Sequence, residues 1–283
     1  MKILVTGATG FVGYHVMHCL LDKKFDIIAS ASSLEKAKSK DWFHRVSFIE
    51  HNMESVPVEN LFLKFGQPDI LIHLAWEGLP DYKNSFHVDK VLPAQYVFLE
   101  NLIQNGLKNL TITGTCFEYG MKNGCLVETM MAEPANPYAI AKDNLRGEME
   151  VLQTKFTFSL KWIRLFYMYG KGQSPSSLLS QLDLAMARGD KVFNMSGGQQ
   201  VRDYLPVETA AANIVHIALQ NKVDGIINCC SHSPVTIEKL VRDHIKKKGG
   251  NIQLNLGYYP YPDYEPMKFW GDNDKLKKAL AEQ

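Results

Sequence analysis

The sequence lacks several features that would point to membranes or nucleic acids. No apolar run approaches the roughly 20 residues that a membrane-spanning helix needs. The formal net charge is only +1 and there is no basic block, which argues against nucleic acid as a partner. An apolar stretch begins at residue 3, so we expect no signal peptide. These absences favour a cytoplasmic protein.

Cysteine and histidine are sparse and scattered. The nine histidines show no metal-ligand pattern, and His73, within an apolar run, is most simply a packed core residue. We therefore expect no metal site and a reducing compartment. The cysteines have neither disulfide nor zinc spacing, and they are Cys19, Cys116, Cys125, Cys229 and Cys230.

The 283 residues, 46% of them hydrophobic, can bury one large core or two lobes. Helical periodicity separates the apolar runs and is clearest at Ala94–Asn105 and Lys142–Gln153. This alternation predicts an α/β fold with a doubly wound parallel sheet and ligands at the carboxyl ends of its strands. The predicted strands are 2–5, 25–31, 46–50, 69–75, 109–114 and 158–165.

A glycine-rich stretch, Thr6–Gly13, follows the first predicted strand and precedes a predicted helix at Val12–Leu21. Gly7 permits a tight turn, Gly10 lets the backbone approach a pyrophosphate, and Gly13 allows close packing of helix on strand. The N-terminus of the helix offers free N–H groups and a positive dipole end. The stretch therefore predicts a dinucleotide site.

Tyr138 and Lys142 lie about one turn apart on one face of a predicted helix, after Pro134 and Pro137. A tyrosine, with a pKa near ~10, is a poor acid at neutral pH unless positive charge lowers that pKa. Lys142 can supply this charge and bond the nicotinamide ribose, while Tyr138 donates a proton to a carbonyl as hydride arrives. The alternative is a core tyrosine followed by a solvated lysine.

Six segments, in this order and spacing, resemble the extended short-chain dehydrogenases/reductases of the NAD-dependent epimerase/dehydratase family. The resemblance implies a Rossmann-type domain over 1–170 and a smaller substrate lobe over 171–283, with roughly 205–230 returning to the sheet. The segments are TGATGFVG at 6–13, DILIHLA at 69–75, TGTCFEYG at 113–120, NPYAIAK at 136–142, IRLFYMYG at 163–170 and QQVRDYLPVE at 199–208.

The resemblance also implies site residues. Thr115 would polarise the substrate carbonyl beside Tyr138, with Lys142 completing the catalytic set. Cys116 and Phe117 stand where related 4,6-dehydratases carry an acidic pair, so we do not expect dehydration. The implied dinucleotide contacts are Gly7, Thr9, Gly10, Phe11, Val12, Gly13, Ser32, Ser33, Asn52, Met53, Leu74, Ala75, Trp76 and Lys142.

The end of the second predicted strand bears on the choice of cofactor. NAD-using relatives have an acidic residue where this chain has Ala31. Ser32 and Ser33 could donate hydrogen bonds to a 2′-phosphate, and Lys36 could add positive charge. This pattern predicts NADPH, with NADH possible. In the alternative interpretation, the two serines only cap the following helix.

For the substrate, Arg202 matches an arginine that in relatives contacts the diphosphate of a sugar nucleotide. Its alternative is a surface ion pair with Asp203. The second such arginine of relatives has no counterpart around 259–264. Apolar side chains in the site would suit the methyl group of a deoxysugar, although each could instead pack in the core. The predicted substrate contacts are Trp76, Cys116, Phe117, Tyr138, Tyr167, Met168 and Arg202.

The chain is most similar to bacterial reductases of nucleotide-linked 4-keto-6-deoxyhexoses. We therefore predict an NADPH-dependent 4-ketoreductase, with a dTDP-sugar favoured, in surface-polysaccharide (lipopolysaccharide) synthesis. One alternative is an epimerase with tightly bound NAD, and another is a non-catalytic NADP sensor. Relatives often dimerise through two helices, which here would lie within 84–105 and 140–155.

Overall fold

The structure, a computed structural model, describes residues 1–55 and 59–282. Its strands are β1 (Lys2–Thr6), β2 (Asp26–Ala31), β3 (Ser47–Glu50), β4 (Ile70–His73), β5 (Asn109–Thr115), β6 (Gly124–Leu126), β7 (Ser159–Leu165), β8 (Tyr167–Tyr169), β9 (Val192–Asn194), β10 (Val201–Pro206), β11 (Gly225–Cys229), β12 (Pro234–Thr236), β13 (Gln253–Asn255) and β14 (Phe269–Gly271). Its α-helices are α1 (Phe11–Leu21), α2 (Leu34–Lys38), α3 (Leu61–Lys64), α4 (Leu92–Gln104), α5 (Pro137–Gln153), α6 (Leu178–Arg188), α7 (Val207–Leu219), α8 (Ile237–Lys248) and α9 (Asp274–Ala281).

One sheet organises the molecule, with seven strands in the order β11-β7-β5-β4-β1-β2-β3. Every neighbouring pair in it is parallel. The order of connection reverses between β1 and β4, and in open sheets of this kind ligands bind outside the carboxyl ends at that point. The predicted Rossmann-type sheet is confirmed, and the six predicted strands agree with the observed bounds to within two residues.

Helices cover both faces of this sheet. Alternate residues of β1 point to opposite faces, so Ile3 and Val5 belong to one buried core and Leu4 to the other. The first core lies under α1 and α7, which pack against each other, and the second lies under α4 and α5. Both faces of the sheet are therefore covered around its central strands, as is usual for parallel sheets.

Beyond residue 170 the chain forms smaller units and also returns to the main sheet. β12, β10 and β8 form a second sheet, while β13 pairs with β9 and β14 with β6. α6 and α8 enclose a separate core that includes Leu182, Phe193 and Val241. β11 extends the main sheet beside β7, and α7 joins its first helical layer. The division into two domains at residue 170 stays a prediction.

Three sequence observations have structural counterparts. His73 is fully buried between the Thr6 hydroxyl and the Gln95 side chain, and burial lowers its pKa to about 3, which confirms it as a neutral core residue. All five cysteines are free thiols. Within residues 1–55 and 59–282, no helix combines the length and the apolar character needed to cross a bilayer.

Gly13 explains how α1 can begin so close to β1. A Cβ atom at this position would lie 2.1 Å from the carbonyl oxygen of Gly7 and 2.9 Å from the Cα of Ala8. Both are backbone atoms and cannot rotate away. Any side chain at residue 13 would therefore push the helix off the strand and open the glycine turn.

We expect Gly13→Ala to lower the free energy of unfolding by about 1–3 kcal/mol, the usual cost of overpacking, in urea unfolding experiments. Gly147→Ala is the matched control, because Gly147 lies inside α5 and a Cβ there would have no neighbouring atom within 4 Å. That control should raise the free energy of unfolding by roughly 0.5–1 kcal/mol through helix propensity. Equal effects of the two substitutions would contradict the close-packing argument.

Candidate active site

The glycine turn lies at the carboxyl end of β1, between β2 and β4. Gly7 has a positive φ of 68°, and a Cβ there would lie 2.8 Å from the amide nitrogen of Ala75. Gly10 precedes the first turn of α1 without a side-chain cap. This backbone cradle leaves no room for side chains at Gly7 or Gly13, and exposed N–H groups at a helix N-terminus suit a pyrophosphate. The residues present therefore fit a dinucleotide.

The other predicted dinucleotide contacts lie around the same edge of the sheet. Asn52 and Met53 follow β3, and Leu74–Trp76 follow β4. The Asn52 side chain accepts a hydrogen bond from the Glu54 amide, and Met53 packs in the core under α4. These residues surround the carboxyl ends of the strands, and their contacts with a dinucleotide stay a prediction.

The end of β2 differs from the sequence-based expectation in one respect. The Ser33 hydroxyl accepts the Lys36 N–H at 3.1 Å, so Ser33 caps α2, as the alternative interpretation supposed. The Leu34 N–H donates instead to a carboxylate oxygen of Glu50, at 2.7 Å. Glu50 was not among the predicted site residues, although it ends the predicted strand 46–50, which the structure pairs with the strand that ends at Ala31.

Thr115, Tyr138 and Lys142 meet at the carboxyl end of β5. Asn136 caps α5 by accepting the Ala139 N–H at 2.9 Å, and Pro137 opens the helix, which fixes where Tyr138 points. The Thr115 hydroxyl accepts the Phe117 N–H at 3.3 Å and lies beside the Tyr138 phenol, whose pKa it lowers. Lys142 donates to the backbone carbonyl of Thr113 at 2.7 Å and is only 2% exposed, so the interpretation as a solvated lysine is wrong.

Burial sets the protonation of Tyr138 and Lys142. It raises the pKa of Tyr138 above its ordinary value, with Tyr82 and Glu118 adding to the rise and the nearby Thr115 hydroxyl opposing it. Burial lowers the pKa of Lys142 to about 7, against the opposing charge of Glu118. We expected Lys142 to lower the pKa of Tyr138, but burial dominates. Tyr138 is consequently a phenol at neutral pH, the form that donates a proton.

A buried carboxylate lies directly behind Thr115. Glu118 accepts the Thr115 N–H at 2.8 Å, the Trp162 indole N–H at 3.0 Å and the Arg164 Nε–H at 2.7 Å. A Cβ at Gly114 would lie 2.2 Å from the Trp162 nitrogen, so only glycine leaves space for this arrangement. Glu118 was not among the predicted site residues, because its sequence neighbours do not reveal the buried donors Trp162 and Arg164.

Aromatic rings form one wall beside Tyr138. The centroid of the Tyr82 ring lies 5.1 Å from that of Phe117 and 5.5 Å from that of Tyr138, while Trp76 lies 5.9 Å from Tyr138. Tyr82, from the loop after β4, was not predicted, since only its position in that loop could have suggested it. Cys116 is buried in the same cluster, whereas Met168 packs against the core of the first helical layer.

Arg202 is buried and paired with Glu265. Its Nη2 lies 3.3 Å from a Glu265 carboxylate oxygen, to which the Tyr167 hydroxyl also donates. Asp203 instead accepts from Ser231 and His232, so the alternative of an Arg202–Asp203 surface pair is wrong. Glu265 was not among the predicted site residues. An open cavity of about 280 Å³ adjoins these groups and is also lined by Asn194, Gln200, Tyr204 and Tyr259.

The fold also brings together three possible metal ligands that the chain spacing did not reveal. Ligand atoms of Cys125, His232 and Asp272 lie within 4.8 Å of one another. The Nδ1 of His232 lies 2.9 Å from the carbonyl oxygen of Gly271, and His232 is exposed. These side chains take no part in the Tyr138 site.

Two curated relatives match almost the whole chain. The dTDP-6-deoxy-L-talose 4-dehydrogenase (NAD(+)) of Aggregatibacter actinomycetemcomitans is 26% identical over 272 residues, covering 96% of this chain and 99% of the relative. The uncharacterised UDP-glucose epimerase YtcB of Bacillus subtilis (strain 168) is 26% identical over 299 residues, covering 99% and 92%.

Solved structures show the same fold. A UDP-glucuronic acid 4-epimerase from Bacillus cereus, in complex with UDP-glucuronic acid and NAD, superposes with a TM-score of 0.86 at 24% identity, covering 100% of this chain and 94% of that one. The family model described as "NAD dependent epimerase/dehydratase family" matches residues 3–230. The resemblance carried by the six sequence segments is thereby confirmed, and the chain belongs to the NAD-dependent epimerase/dehydratase family.

Proposed function

We propose that this protein reduces the 4-keto group of a nucleotide-linked 4-keto-6-deoxyhexose, with a dTDP-sugar favoured. The observation that carries this proposal is the buried set of Thr115, Tyr138 and Lys142 at the carboxyl end of β5, beside the glycine cradle. When bound, the nicotinamide supplies hydride to the keto carbon. One hydride and one proton are added to the C=O, which becomes CH–OH as the dinucleotide is oxidised.

Each residue of the trio has a separate task. Tyr138 donates its phenolic proton to the developing alkoxide, and its raised pKa keeps that proton in place at neutral pH. Thr115, which lies beside Tyr138, donates to the same oxygen and stabilises its charge. Lys142 holds the nicotinamide ribose, and its ammonium group would stabilise Tyr138 after the proton has left.

The surroundings of the trio support a deoxysugar substrate. The ring wall of Trp76, Tyr82 and Phe117 offers an apolar surface to a C6 methyl group. Cys116 and Phe117 provide no carboxylates for dehydration. Arg202 borders the 280 Å³ cavity, where it could meet a diphosphate if Glu265 releases it. The relative that acts on dTDP-6-deoxy-L-talose agrees with this substrate class.

We place this reaction in the cytoplasm, in the synthesis of a surface-polysaccharide sugar. NADPH, predicted from Ala31 and the serines after it, stays a prediction. The trio itself would act in the same way with either reduced dinucleotide, because the 2′-phosphate lies far from the nicotinamide in these cofactors.

A nucleotide-sugar 4-epimerase is the second candidate. YtcB is as similar in identity as the 4-dehydrogenase, and epimerisation needs the same trio to oxidise the sugar and reduce it from the other face. Such an enzyme would retain its dinucleotide through purification and need no added reductant. A non-catalytic NADP sensor is less well supported, because a sensor would not require Tyr138, Thr115 and Lys142 to meet.

We also propose that the protein is a homodimer joined through α4 and α5. These two helices pack side by side, and each leaves a valine exposed, Val97 by 36% and Val151 by 57%. A matching pair of helices from a second copy would cover both side chains.

The decisive assay follows NADH or NADPH oxidation with dTDP-4-keto-6-deoxyglucose and with its UDP counterpart, and identifies the product by NMR. We expect stoichiometric oxidation and a 4-hydroxyl product. Tyr138→Phe should lower kcat by about 100-fold or more, since it removes a general acid, while dinucleotide binding stays intact. Tyr258→Phe, at a 58% exposed tyrosine, is the control. Unchanged turnover in Tyr138→Phe would refute the assigned acid.

Lys142 should give the reaction a characteristic pH dependence. The pKa of Lys142, lowered by burial to about 7, means that the ammonium group is present below pH 7 and lost above it. We expect kcat/KM for the reduced dinucleotide, which reports ionisations of the free enzyme, to fall as pH rises through about 7. Lys142→Arg keeps the charge and should move this fall to higher pH. A profile that is the same for both proteins would assign it to another group.

The dimer can be tested by size-exclusion chromatography with light scattering. We expect the Val97→Glu/Val151→Glu double variant to be monomeric, because it would bury two carboxylates without partners in the interface. Val192→Glu, at a 49% exposed valine of β9, should leave the dimer intact. A monomeric wild-type protein would contradict the proposed dimer.

A further inference from the structure

Glu50 lies beside the end of β2, where the chain has Ala31 and no carboxylate. In the parallel register of β2 and β3, Glu50 pairs with Ala31, the last residue of β2. Its side chain crosses the turn after β2, where one carboxylate oxygen accepts the Leu34 N–H at 2.7 Å. A negative charge therefore stands at the end of β2 even though the residue there is alanine.

The same turn is where a 2′-phosphate would have to bind. The Ser33 hydroxyl oxygen accepts the Lys36 N–H as the cap of α2, and the neighbouring Leu34 N–H donates to Glu50, so this amide is not free to bind a phosphate. Lys36 adds one positive charge nearby, and the negative charge of Glu50 offsets it. A phosphate carrying about two negative charges would meet this carboxylate at close range, and like charges there disfavour binding.

A 2′-hydroxyl, in contrast, can bind favourably to the same groups. Glu50 uses Oε1 for the Leu34 N–H, which leaves Oε2 with no hydrogen bond among the described residues. A carboxylate oxygen accepts hydrogen bonds and cannot donate them when ionised, so it suits the hydroxyl of an adenosine ribose. The anchoring hydrogen bond to Leu34 holds the side chain in position for this contact.

We propose that Glu50 replaces the acidic residue missing from β2, contacts the adenosine ribose and makes the protein select NAD(H) over NADP(H). The selectivity comes from a residue of the neighbouring strand β3, whose side chain extends across the turn between β2 and α2. This inference deepens the proposed function and rests on its dinucleotide site, but it does not depend on which sugar is reduced. It also opposes the NADPH preference predicted from Ala31, Ser32 and Ser33.

The test is calorimetric titration of NAD⁺ and NADP⁺ into the nucleotide-free wild-type protein and two variants. Glu50→Gln keeps an oxygen acceptor for the Leu34 N–H but removes the charge. Glu35→Gln is the control, because it removes a charge from the first turn of α2, whereas the Leu34 N–H of that turn is held by Glu50. Both positions are exposed, so both variants should fold.

We expect wild-type protein to bind NAD⁺ at least about tenfold more tightly than NADP⁺, as a close charge repulsion would give. Glu50→Gln should reduce this ratio by about tenfold, and Glu35→Gln should leave it unchanged. The wild-type ratio should also shrink as salt is raised, because the charges involved are exposed.

Several outcomes would overturn the proposal. These are a wild-type preference for NADP⁺, a ratio that Glu50→Gln does not alter, and equal shifts in the two variants. Binding of neither dinucleotide would refute the site itself. The ketone-reduction assay is a separate measurement: selective NAD⁺ binding without sugar turnover would leave the role of Glu50 standing and refute the proposed substrate.

Discussion

The buried ion pair between Glu118 and Arg164 is the interaction on which the active site depends. Burying a carboxylate costs several kcal/mol unless charge and hydrogen bonds compensate it. Here Arg164, the Trp162 indole and the Thr115 amide all donate to Glu118. Because those donors come from β5 and β7, any movement of the carboxyl end of β5 would leave the Glu118 carboxylate buried without its hydrogen-bond donors. Thr115 is consequently held in one place, and its hydroxyl with it.

The same network reaches across the sheet and into the returning chain. Arg164 stacks over the Tyr119 ring at 4.2 Å, and the Tyr119 hydroxyl donates to the Asn228 side chain of β11 at 2.8 Å. Glu118 also acts through space on Lys142, whose pKa it raises against the larger effect of burial. The support of β5, the anchoring of β11 and the pKa of Lys142 therefore all depend on one cluster of side chains.

Two other carboxylates lie next to the places where the sequence predicted binding of phosphate groups. Arg202 and the Tyr167 hydroxyl both donate to Glu265, and Glu50 lies beside Ala31. In both places the sequence suggested a site ready for phosphate, and in both the structure puts a negative charge next to it. A diphosphate must therefore compete with Glu265 for Arg202. A 2′-phosphate must approach Glu50.

The sequence by itself determined the sheet, the glycine cradle and the Tyr138–Lys142 pair, because each depends on local spacing: period two in strands, period 3.6 in helices, and glycine where a side chain cannot fit. The tertiary structure decided which residues from distant parts of the chain lie in contact. Glu118 and Arg164 are 46 residues apart, and Arg202 and Glu265 are 63 apart. The protonation of Lys142 is set by its burial, and Arg202 is paired with a residue from a distant segment. The spacing of residues along the sequence reveals neither burial nor such neighbours.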